Sequence, residues 1–278
     1  MPDASRMLRI ACIQNSAGDN PEKNLKKIRI LVNEALKSSP HVVALPENFY
    51  LRGGDKKALC AVARTVTRQV LQEFCEIAKG THTSFLLGSI VEPSPIHNKC
   101  YNTSVLISAA GKITARYRKI HLFDVTLATG VSIRESRGTV SGSRVVTANM
   151  GAKKAGLAIC YDLRFPELFR QLTVRGARMI FLPANFTRLT GQAHWEILVR
   201  ARAIENQVFM IAPAQTGVHP VTGIASYGRS LIVDPWGNVL AQGSLNREEV
   251  ITAVLDFKKQ DRLRRDFPVL RHIRLLTR

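Results

Sequence analysis

The stretch VVALPENF at residues 42–49 decides how the chain folds, because an apolar run gives way there to polar residues. A short, continuous apolar run is typical of a strand that is covered on both faces of a sheet. The pattern returns at residues 179–186 as MIFLPANF. Two such half-units would bring both strand ends to one carboxyl edge, where α/β sheets carry their sites. The two copies differ in one telling place, where Glu47 in the first corresponds to Ala184 in the second.

Strands alternate with helices along the rest of the chain. Asn20 and Pro21 predict the start of a helix over 20–40, where apolar residues recur at helical spacing. Further helices are predicted over 55–79, 166–175 and 195–207. Pairs of strands lie between the helices, and residues 124–143 are predicted to form a polar loop. We therefore expect an α/β fold with mixed sheets, in a single domain over residues 1–278, since no Pro/Gly/Ser-rich linker divides the chain.

The charge of the chain is strongly positive. Forty Lys and Arg residues face 21 Asp and Glu residues, which gives a formal net charge of +19. Much of the excess lies in the basic C-terminal segment, residues 257–278, which indicates either an arm that binds nucleic acid or a membrane, or a solvated basic tail or helix face. Only Phe257 and Phe267 are available there to stack on bases, so the solvated face is favoured and nucleic acid is expected to bind non-specifically if at all.

The cysteine spacing and the length of the apolar runs exclude several other classes of protein. The five cysteines are widely spaced and form no Cys-x-x-Cys pair, so neither a zinc site nor a disulfide framework is predicted. The apolar runs are all far shorter than the roughly 18 residues of a membrane-spanning helix. The first ten residues lack the apolar core of a secretion signal. We therefore expect a cytoplasmic protein without a membrane segment.

Cys160 stands at the end of an apolar run in GLAICYDLRFPELFRQ, residues 156–171. One interpretation is a buried core cysteine, since free cysteine is among the most often buried residue types. The other is a nucleophile, because a strand end before a helix exposes the sulfur beside free backbone N–H groups. The positive end of such a helix is expected to favour the thiolate. Cys160 alone leaves both interpretations open.

Other residues favour the catalytic interpretation. Glu47 follows an apolar strand and a proline, and a carboxyl group in a dry place suits proton transfer near neutral pH. Lys119 ends a strand in YRKIHLFD and is placed to pair with Glu47 and stabilise an oxyanion. Glu135 is either a second carboxylate near Lys119 or a loop charge. His121 and His194 are the alternatives for a Cys/His mechanism.

Three collinear motifs resemble the nitrilase, or carbon–nitrogen hydrolase, superfamily: LPENF at 45–49, YRKIHLFD at 117–124 and ICYDLRFPEL at 159–168. The resemblance extends through almost the whole chain. It implies a four-layer αββα sandwich that forms a homodimer, with the segment 257–278 at or near the dimer interface. It also implies a Glu-Lys-Cys triad and no cofactor or metal.

The roles of the triad follow from the resemblance. Cys160 would attack an amide carbonyl carbon, and Glu47 would carry the thiol proton to the leaving group. Lys119 and the Tyr161 backbone N–H would stabilise the oxyanion. Glu135 matches the place of a second glutamate that supports the lysine in this family.

The residues that follow the nucleophile, CYDLRFPE, resemble the branch of deaminated glutathione amidase and ω-amidase. Residues 213–228 are more similar to the former. The implied reaction is hydrolysis of a small carboxylate-bearing amide to acid and ammonia through a cysteine thioester. Deaminated glutathione is the expected substrate, and α-ketoglutaramate or α-ketosuccinamate, the substrates of an ω-amidase, are the alternatives. A basic nucleic-acid-binding protein is the alternative from another class. The candidate substrate-binding residues are Arg164, Asn185, Phe186, Arg188 and Tyr50.

Overall fold

The computed structural model of the chain describes residues 7–53, 56–126, 130 and 132–275. Its strands are β1 Met7–Gln14, β2 Val42–Ala44, β3 Ser84–Pro93, β4 Cys100–Ile107, β5 Ile113–Arg118, β6 Asp124–Thr126, β7 Ser132–Arg134, β8 Thr147–Met150, β9 Lys153–Leu157, β10 Met179–Phe181, β11 Phe209–Ala212, β12 Leu231–Val233, β13 Val239–Gln242 and β14 Glu249–Asp256. Its α-helices are α1 Pro21–Leu36, α2 Lys56–Thr81, α3 Pro166–Val174, α4 Arg188–Asn206 and α5 Phe257–Asp266.

Twelve of these strands form two six-stranded sheets, in the orders β14-β1-β2-β3-β4-β5 and β13-β12-β11-β10-β9-β8. In each sheet three central strands are parallel, and the flanking strands are antiparallel. The strands of the two repeated stretches, β2 and β10, are each the middle strand of a parallel trio. The echo in the sequence therefore marks equivalent positions in two similar sheets.

The apolar side chains divide the molecule into four layers. Along β1, Ala11 and Ile13 pack with the buried faces of α1 and α2. The alternate residues Ile10 and Cys12 belong to a second cluster, which holds side chains of both sheets and of α3 and α4. This alternation is what a strand buried on both faces produces. The predicted αββα sandwich is confirmed.

Local signals explain where the helices begin. The Asn20 side chain accepts a hydrogen bond from the Lys23 N–H at 2.9 Å, and Pro21 occupies the first turn of α1, as predicted. Helix α4 begins at Arg188, earlier than predicted, because Thr187 caps it. The residues of its first two turns lack the apolar periodicity by which a helix is recognised in sequence.

Two segments are more ordered than predicted. The polar loop contains the hairpin β6–β7 and a short 3₁₀ turn, Glu135–Arg137. The basic segment begins with helix α5, which buries Phe257 against Phe209 at a ring-centroid distance of 5.3 Å. The basic residues between Lys258 and Arg265 therefore lie on a docked helix. None of the helices in the described ranges is long and apolar enough to cross a bilayer.

Candidate active site

Three loops at the carboxyl edge bring Glu47, Lys119 and Cys160 into one cavity of about 560 Å³. Glu47 follows β2, Lys119 follows β5 and Cys160 follows β9. Their exposed fractions are 3%, 2% and 7%. Charges this well shielded from water interact strongly, so the geometry among the three groups governs their protonation.

Lys119 is held between two carboxylates. Its Nζ lies 2.8 Å from Glu47 Oε1 and 2.9 Å from Glu135 Oε2. Asn102 Nδ2 also donates to both, at 2.9 Å to Glu47 and 3.2 Å to Glu135. Burial lowers the pKa of Lys119, but the charges of Glu135 and Glu47 outweigh this effect and raise it well above its usual value. The lysine is therefore a permanent cation in the cavity. Glu135 is thus a partner of Lys119, and the alternative of an isolated loop charge does not hold.

Cys160 sits in a left-handed backbone conformation, with φ of +48°. Its N–H donates to the Pro183 carbonyl oxygen at 2.9 Å, and a 3₁₀ turn, Cys160–Arg164, starts at this residue. The Glu47 carboxylate and the Asn185 backbone N–H are both close enough to Sγ to influence the pKa of the thiol. The sharp reversal after β9 thus aims the sulfur into the cavity that Glu47 also lines.

The pKa of the Cys160 thiol is raised well above its usual value, first by burial and then by the negative charge of Glu47. Lys119 and the Asn185 N–H oppose this shift but do not cancel it. The expectation that a helix N-terminus favours the thiolate is therefore wrong for the resting state. The turn is too short to act as a long helix dipole, and the sulfur is too dry. A thiol with a raised pKa is a weak nucleophile unless a neighbouring base takes its proton.

Asp162, which the sequence analysis did not single out, stabilises the 3₁₀ turn that carries Cys160. It is fully buried, and its carboxylate accepts hydrogen bonds from the Ile159 N–H at 2.8 Å and the Tyr117 hydroxyl at 2.7 Å. The backbone N–H and the Nδ1 atom of His121 approach its other oxygen at 3.1 and 2.7 Å. Four contacts on one carboxylate fix the chain on both sides of Cys160.

The two repeated strand ends meet at Gly88. A Cβ atom on this glycine would lie 1.8 Å from the Leu45 carbonyl oxygen, 2.5 Å from the Pro46 carbonyl oxygen and 2.6 Å from Pro183 Cβ. Glycine is thus required where both Leu-Pro turns close on β3. Gln215 adds hydrogen bonds from its side-chain amide to the carbonyl oxygens of Glu47 and Asn48, at 3.0 and 3.1 Å.

Three of the five predicted substrate-binding residues line the cavity: Arg164, Asn185 and Phe186. The Arg164 guanidinium carbon lies 5.4 Å from the centroid of the Phe186 ring and 5.8 Å from that of Tyr161. These contacts leave the charge of Arg164 beside the turn that carries the nucleophile.

The other two predicted substrate-binding residues are corrected by the structure. Arg188 is exposed and donates to Asn246, outside the described cavity lining. Tyr50 is fully buried, and its hydroxyl is 2.8 Å from Thr67 Oγ1 of α2. Its ring belongs to the cluster between the first sheet and its helices, so Tyr50 is a core residue.

His121 and His194, the predicted alternatives for a Cys/His mechanism, do not pair with Cys160. His121 is bonded to Asp162, and its ring stacks on Phe165 at a centroid distance of 3.6 Å. His194 Nδ1 lies 3.4 Å from both terminal nitrogens of Arg164. Neither histidine is among the described residues that line the cavity.

Two further functional candidates were not found from the sequence, Asn102 and Arg52. Asn102 bridges the two carboxylates described above. Arg52 lines the cavity and is buried, with hydrogen bonds to Ser226 and to backbone oxygens. A bonding pattern of this kind depends on distant parts of the chain and leaves no local signal.

The fold and the motifs together define the class of the protein. The chain belongs to the carbon–nitrogen hydrolase family, whose model matches residues 9–265. The resemblance to the nitrilase superfamily is confirmed, and the chain is a hydrolase.

Individual relatives narrow the branch. Deaminated glutathione amidase of Synechocystis sp. is 36% identical over 269 residues, covering 94% of this chain and 96% of the relative. The Dictyostelium discoideum protein of the same name is 34% identical, with 98% and 95% covered. The solved structure of the Caenorhabditis elegans NitFhit protein superposes with a TM-score of 0.90 at 35% identity, over 97% of this chain and 65% of that one. Saccharomyces cerevisiae Nit3 gives 0.83 at 28% identity, over 95% of each chain.

Proposed function

We propose that the chain is an amidase that cleaves a small carboxylate-bearing amide with Glu47, Lys119 and Cys160. The observation that carries this proposal is the burial of a carboxylate, an ammonium group and a thiol in one cavity. Lys119 Nζ is 2.8 Å from Glu47 Oε1, and the charge of the same carboxylate contributes to the raised pKa of the Cys160 thiol. A base, a nucleophile and an oxyanion donor are thereby present in one buried site.

The acylation step follows from these contacts. Glu47 takes the thiol proton as Sγ attacks the amide carbonyl carbon, so no free thiolate accumulates beforehand. The negative charge moves to the carbonyl oxygen, where Lys119 Nζ and the Tyr161 N–H donate to it. Tyr161 is the second residue of a 3₁₀ turn, and the first N–H groups of such a turn lack acceptors within it. Removing one oxyanion donor from a site of this kind costs about 3–4 kcal/mol of transition-state stabilisation.

The deacylation step returns the site to its starting state. First, the protonated Glu47 gives its proton to the departing nitrogen, which completes acylation and leaves a Cys160 thioester. Glu47 then takes a proton from water, whose oxygen attacks the thioester carbon. The Cys160 sulfur leaves and regains a proton, and the acid is released.

The charge of the cavity supports an anionic substrate. Four described arginines and Lys119 line it, against Glu47 and Glu135, which are both bonded to Lys119. The excess positive charge attracts a carboxylate. We infer that Arg164 binds one substrate carboxylate, beside the Phe186 ring. Deaminated glutathione is our first candidate substrate, because it carries carboxylates and because the relatives described above act on it by name.

The leaving group distinguishes the candidate substrates. Deaminated glutathione is a secondary amide, so its hydrolysis releases the amine of cysteinylglycine together with α-ketoglutarate. The expectation of ammonia therefore applies only to primary amides such as α-ketoglutaramate. In both cases the nitrogen must approach Glu47, which is the proton donor in this mechanism.

A product assay tests the proposed function. Wild type should release cysteinylglycine from deaminated glutathione, measured as new primary amine, and ammonia from α-ketoglutaramate at a lower kcat/KM. Cys160→Ala should lose both activities. Cys75→Ala is the matched control, because Cys75 lies in α2, outside the described cavity lining. Failure of wild type to cleave either amide, or activity that survives in Cys160→Ala, would contradict the proposal.

We further propose that the chain forms a homodimer through an exposed apolar surface on α4 and the C-terminal region. Ile197 and Ile204 are exposed on α4, and Ile204 packs on Gly237. The neighbouring Trp236 ring lies 6.3 Å from that of Phe267, and both are exposed. Light scattering should give twice the chain mass, and Ile197→Glu should give a monomer; a monomeric wild type would overturn this proposal.

The five free cysteines support a reducing compartment, and we propose the cytoplasm.

A further inference from the structure

Arg52 has an unusual environment for a charged residue. It lies on the loop that begins with Glu47, lines the active-site cavity and is only 2% exposed. Its Nη1 donates to Ser226 Oγ at 2.7 Å and to the Thr216 carbonyl oxygen at 3.2 Å. Its Nη2 donates to the Val218 carbonyl oxygen at 2.6 Å. All of these acceptors are neutral.

The charge of Arg52 is not balanced within the described part of the chain. The other deeply buried cations have carboxylate partners: Lys119 pairs with Glu47 and Glu135, and Arg202 pairs with Glu205 at 3.1 Å. Arg52 has no such ion pair among the described residues. Burial lowers its pKa to about 10, which leaves the guanidinium charged at neutral pH.

A buried charge without a counter-ion in the cavity wall costs desolvation free energy, and this cost is offset when an anion enters the cavity. Two of the five N–H groups of the Arg52 guanidinium have no acceptor among the described residues: the buried Nε–H and one on Nη2. Because the Nε–H is closed off from solvent, a carboxylate in the cavity has the second N–H of Nη2 and the guanidinium charge to interact with. The residue thus retains both charge and a donor for a ligand.

Arg52 also orients a second donor toward the cavity. Asn185 Oδ1 accepts from Ser226 Oγ at 2.5 Å and lies 3.5 Å from Arg52 Nη1. A guanidinium has no acceptor, so the amide must present its oxygen to Arg52 and its Nδ2 away from it. Asn185 lines the cavity, and its Nδ2 has no acceptor among the described residues.

We propose that Arg52, with the Asn185 amide that it orients, binds a second carboxylate of a two-carboxylate amide substrate and thereby determines specificity. This inference rests on the proposed function, in which Arg164 binds the first carboxylate. Arg52 does not take part in bond breaking. Its role separates an amide with two carboxylates, such as deaminated glutathione, from one with a single carboxylate, such as α-ketoglutaramate.

The experiment compares three substrates in two enzymes. The substrates are deaminated glutathione, the same molecule with its glycyl carboxylate converted to a carboxamide, and α-ketoglutaramate. In Arg52→Gln, kcat/KM for deaminated glutathione should fall about 10- to 100-fold, mostly through KM, as for the loss of one charge-assisted contact. The values for the carboxamide and for α-ketoglutaramate should change by less than about threefold. Wild type should prefer the acid over the carboxamide, and Arg52→Gln should process the two equally.

A merely structural role would give a different pattern. Arg202→Gln removes a buried arginine that also donates to a backbone carbonyl oxygen, on Leu163, but lies outside the described cavity lining. It should affect all three substrates by one common factor. A common factor in Arg52→Gln, or no loss on any substrate, would overturn the inference. Arg52→Lys should retain part of the preference for the acid. The wild-type comparison of acid with carboxamide needs no variant, and equal rates there would also overturn it. Loss of all activity in Cys160→Ala tests the proposed function separately.

Discussion

Replacement of Asp162 by asparagine should loosen the turn that carries the nucleophile. The change keeps the shape of the side chain but exchanges one carboxylate oxygen for an NH₂ group. In one orientation the NH₂ faces the Ile159 N–H, and in the other it faces the His121 N–H. Either way one backbone N–H loses its acceptor. The Tyr117 hydroxyl or the His121 ring nitrogen on the same side can instead accept a hydrogen bond from the new NH₂ group.

The expected loss follows from these contacts. A buried N–H without an acceptor costs about 1–3 kcal/mol, and hydrogen bonds to a neutral amide are each about 1 kcal/mol weaker than those to a carboxylate. Relief from burying a charge returns part of this sum. We expect the free energy of unfolding to fall by about 3 kcal/mol. Because Cys160 lies two residues away, kcat should also fall at least about 100-fold.

Urea unfolding and steady-state kinetics test this prediction together. Asp234→Asn is the matched control, since Asp234 also accepts two backbone N–H groups, from Trp236 and Asn238, each at 2.9 Å. Those bonds are exposed, so water replaces the lost acceptor and the change should stay below about 1 kcal/mol. If Asp162→Asn were as mild as the control, the carboxylate would not anchor the turn and the reasoning would fail.

Three further predictions concern the site. Lys119→Met leaves the Glu47 and Glu135 carboxyl groups close together without a cation, so one of them should hold a proton in the folded state. Activity should be lost. The urea midpoint of this variant should decrease as the pH rises from 5.5 to 8, because that proton is then lost, whereas the wild-type midpoint should change little. Because the pKa of Cys160 is raised by burial and by the charge of Glu47, its alkylation by iodoacetamide, followed by peptide mass spectrometry, should keep accelerating beyond pH 9, and Glu47→Gln should move this rise to lower pH; a plateau below pH 8 in wild type would be inconsistent with a resting thiol. Gly88→Ala should abolish activity, because its Cβ would meet the Leu45 carbonyl oxygen, whereas Gly80→Ala in α2, with nothing within 4 Å, should stabilise the fold by about 0.5 kcal/mol in thermal unfolding.

Local patterns were sufficient to predict most of the fold. The apolar strands and the capped helix α1 are encoded by neighbouring residues, and the repeated Leu-Pro turns indicated that two strand ends would meet at one carboxyl edge, whereas the four layers followed from the family resemblance. The start of α4 was missed because its first turns are polar. The extent of order in the basic segment was missed because Phe257, on which α5 docks, is the one buried apolar side chain of a mostly charged helix.

The candidate triad was predicted because Glu47 and Cys160 each follow an apolar strand and Lys119 lies between a strand and an apolar run, and because the family resemblance joins the three. Arg52 and Asp162 were missed because their importance depends on contacts far along the chain. Arg52 reaches Ser226 across 174 positions, and Asp162 reaches Tyr117 across 45. In the sequence, both are single charges beside a turn, and only the folded chain shows that they are buried. Arg188 and Tyr50 illustrate the converse, since proximity to a motif did not bring their side chains into the cavity.

The left-handed conformation of Cys160 has a consequence for how this position tolerates change. A non-glycine residue pays about 1–2 kcal/mol for such a backbone, and glycine adopts it without that strain. Directed evolution that rewards thermal tolerance alone would therefore tend to replace the nucleophile itself. Resistance to heat and turnover oppose each other at a single residue, so a library from this chain should be selected for product formation from the first round.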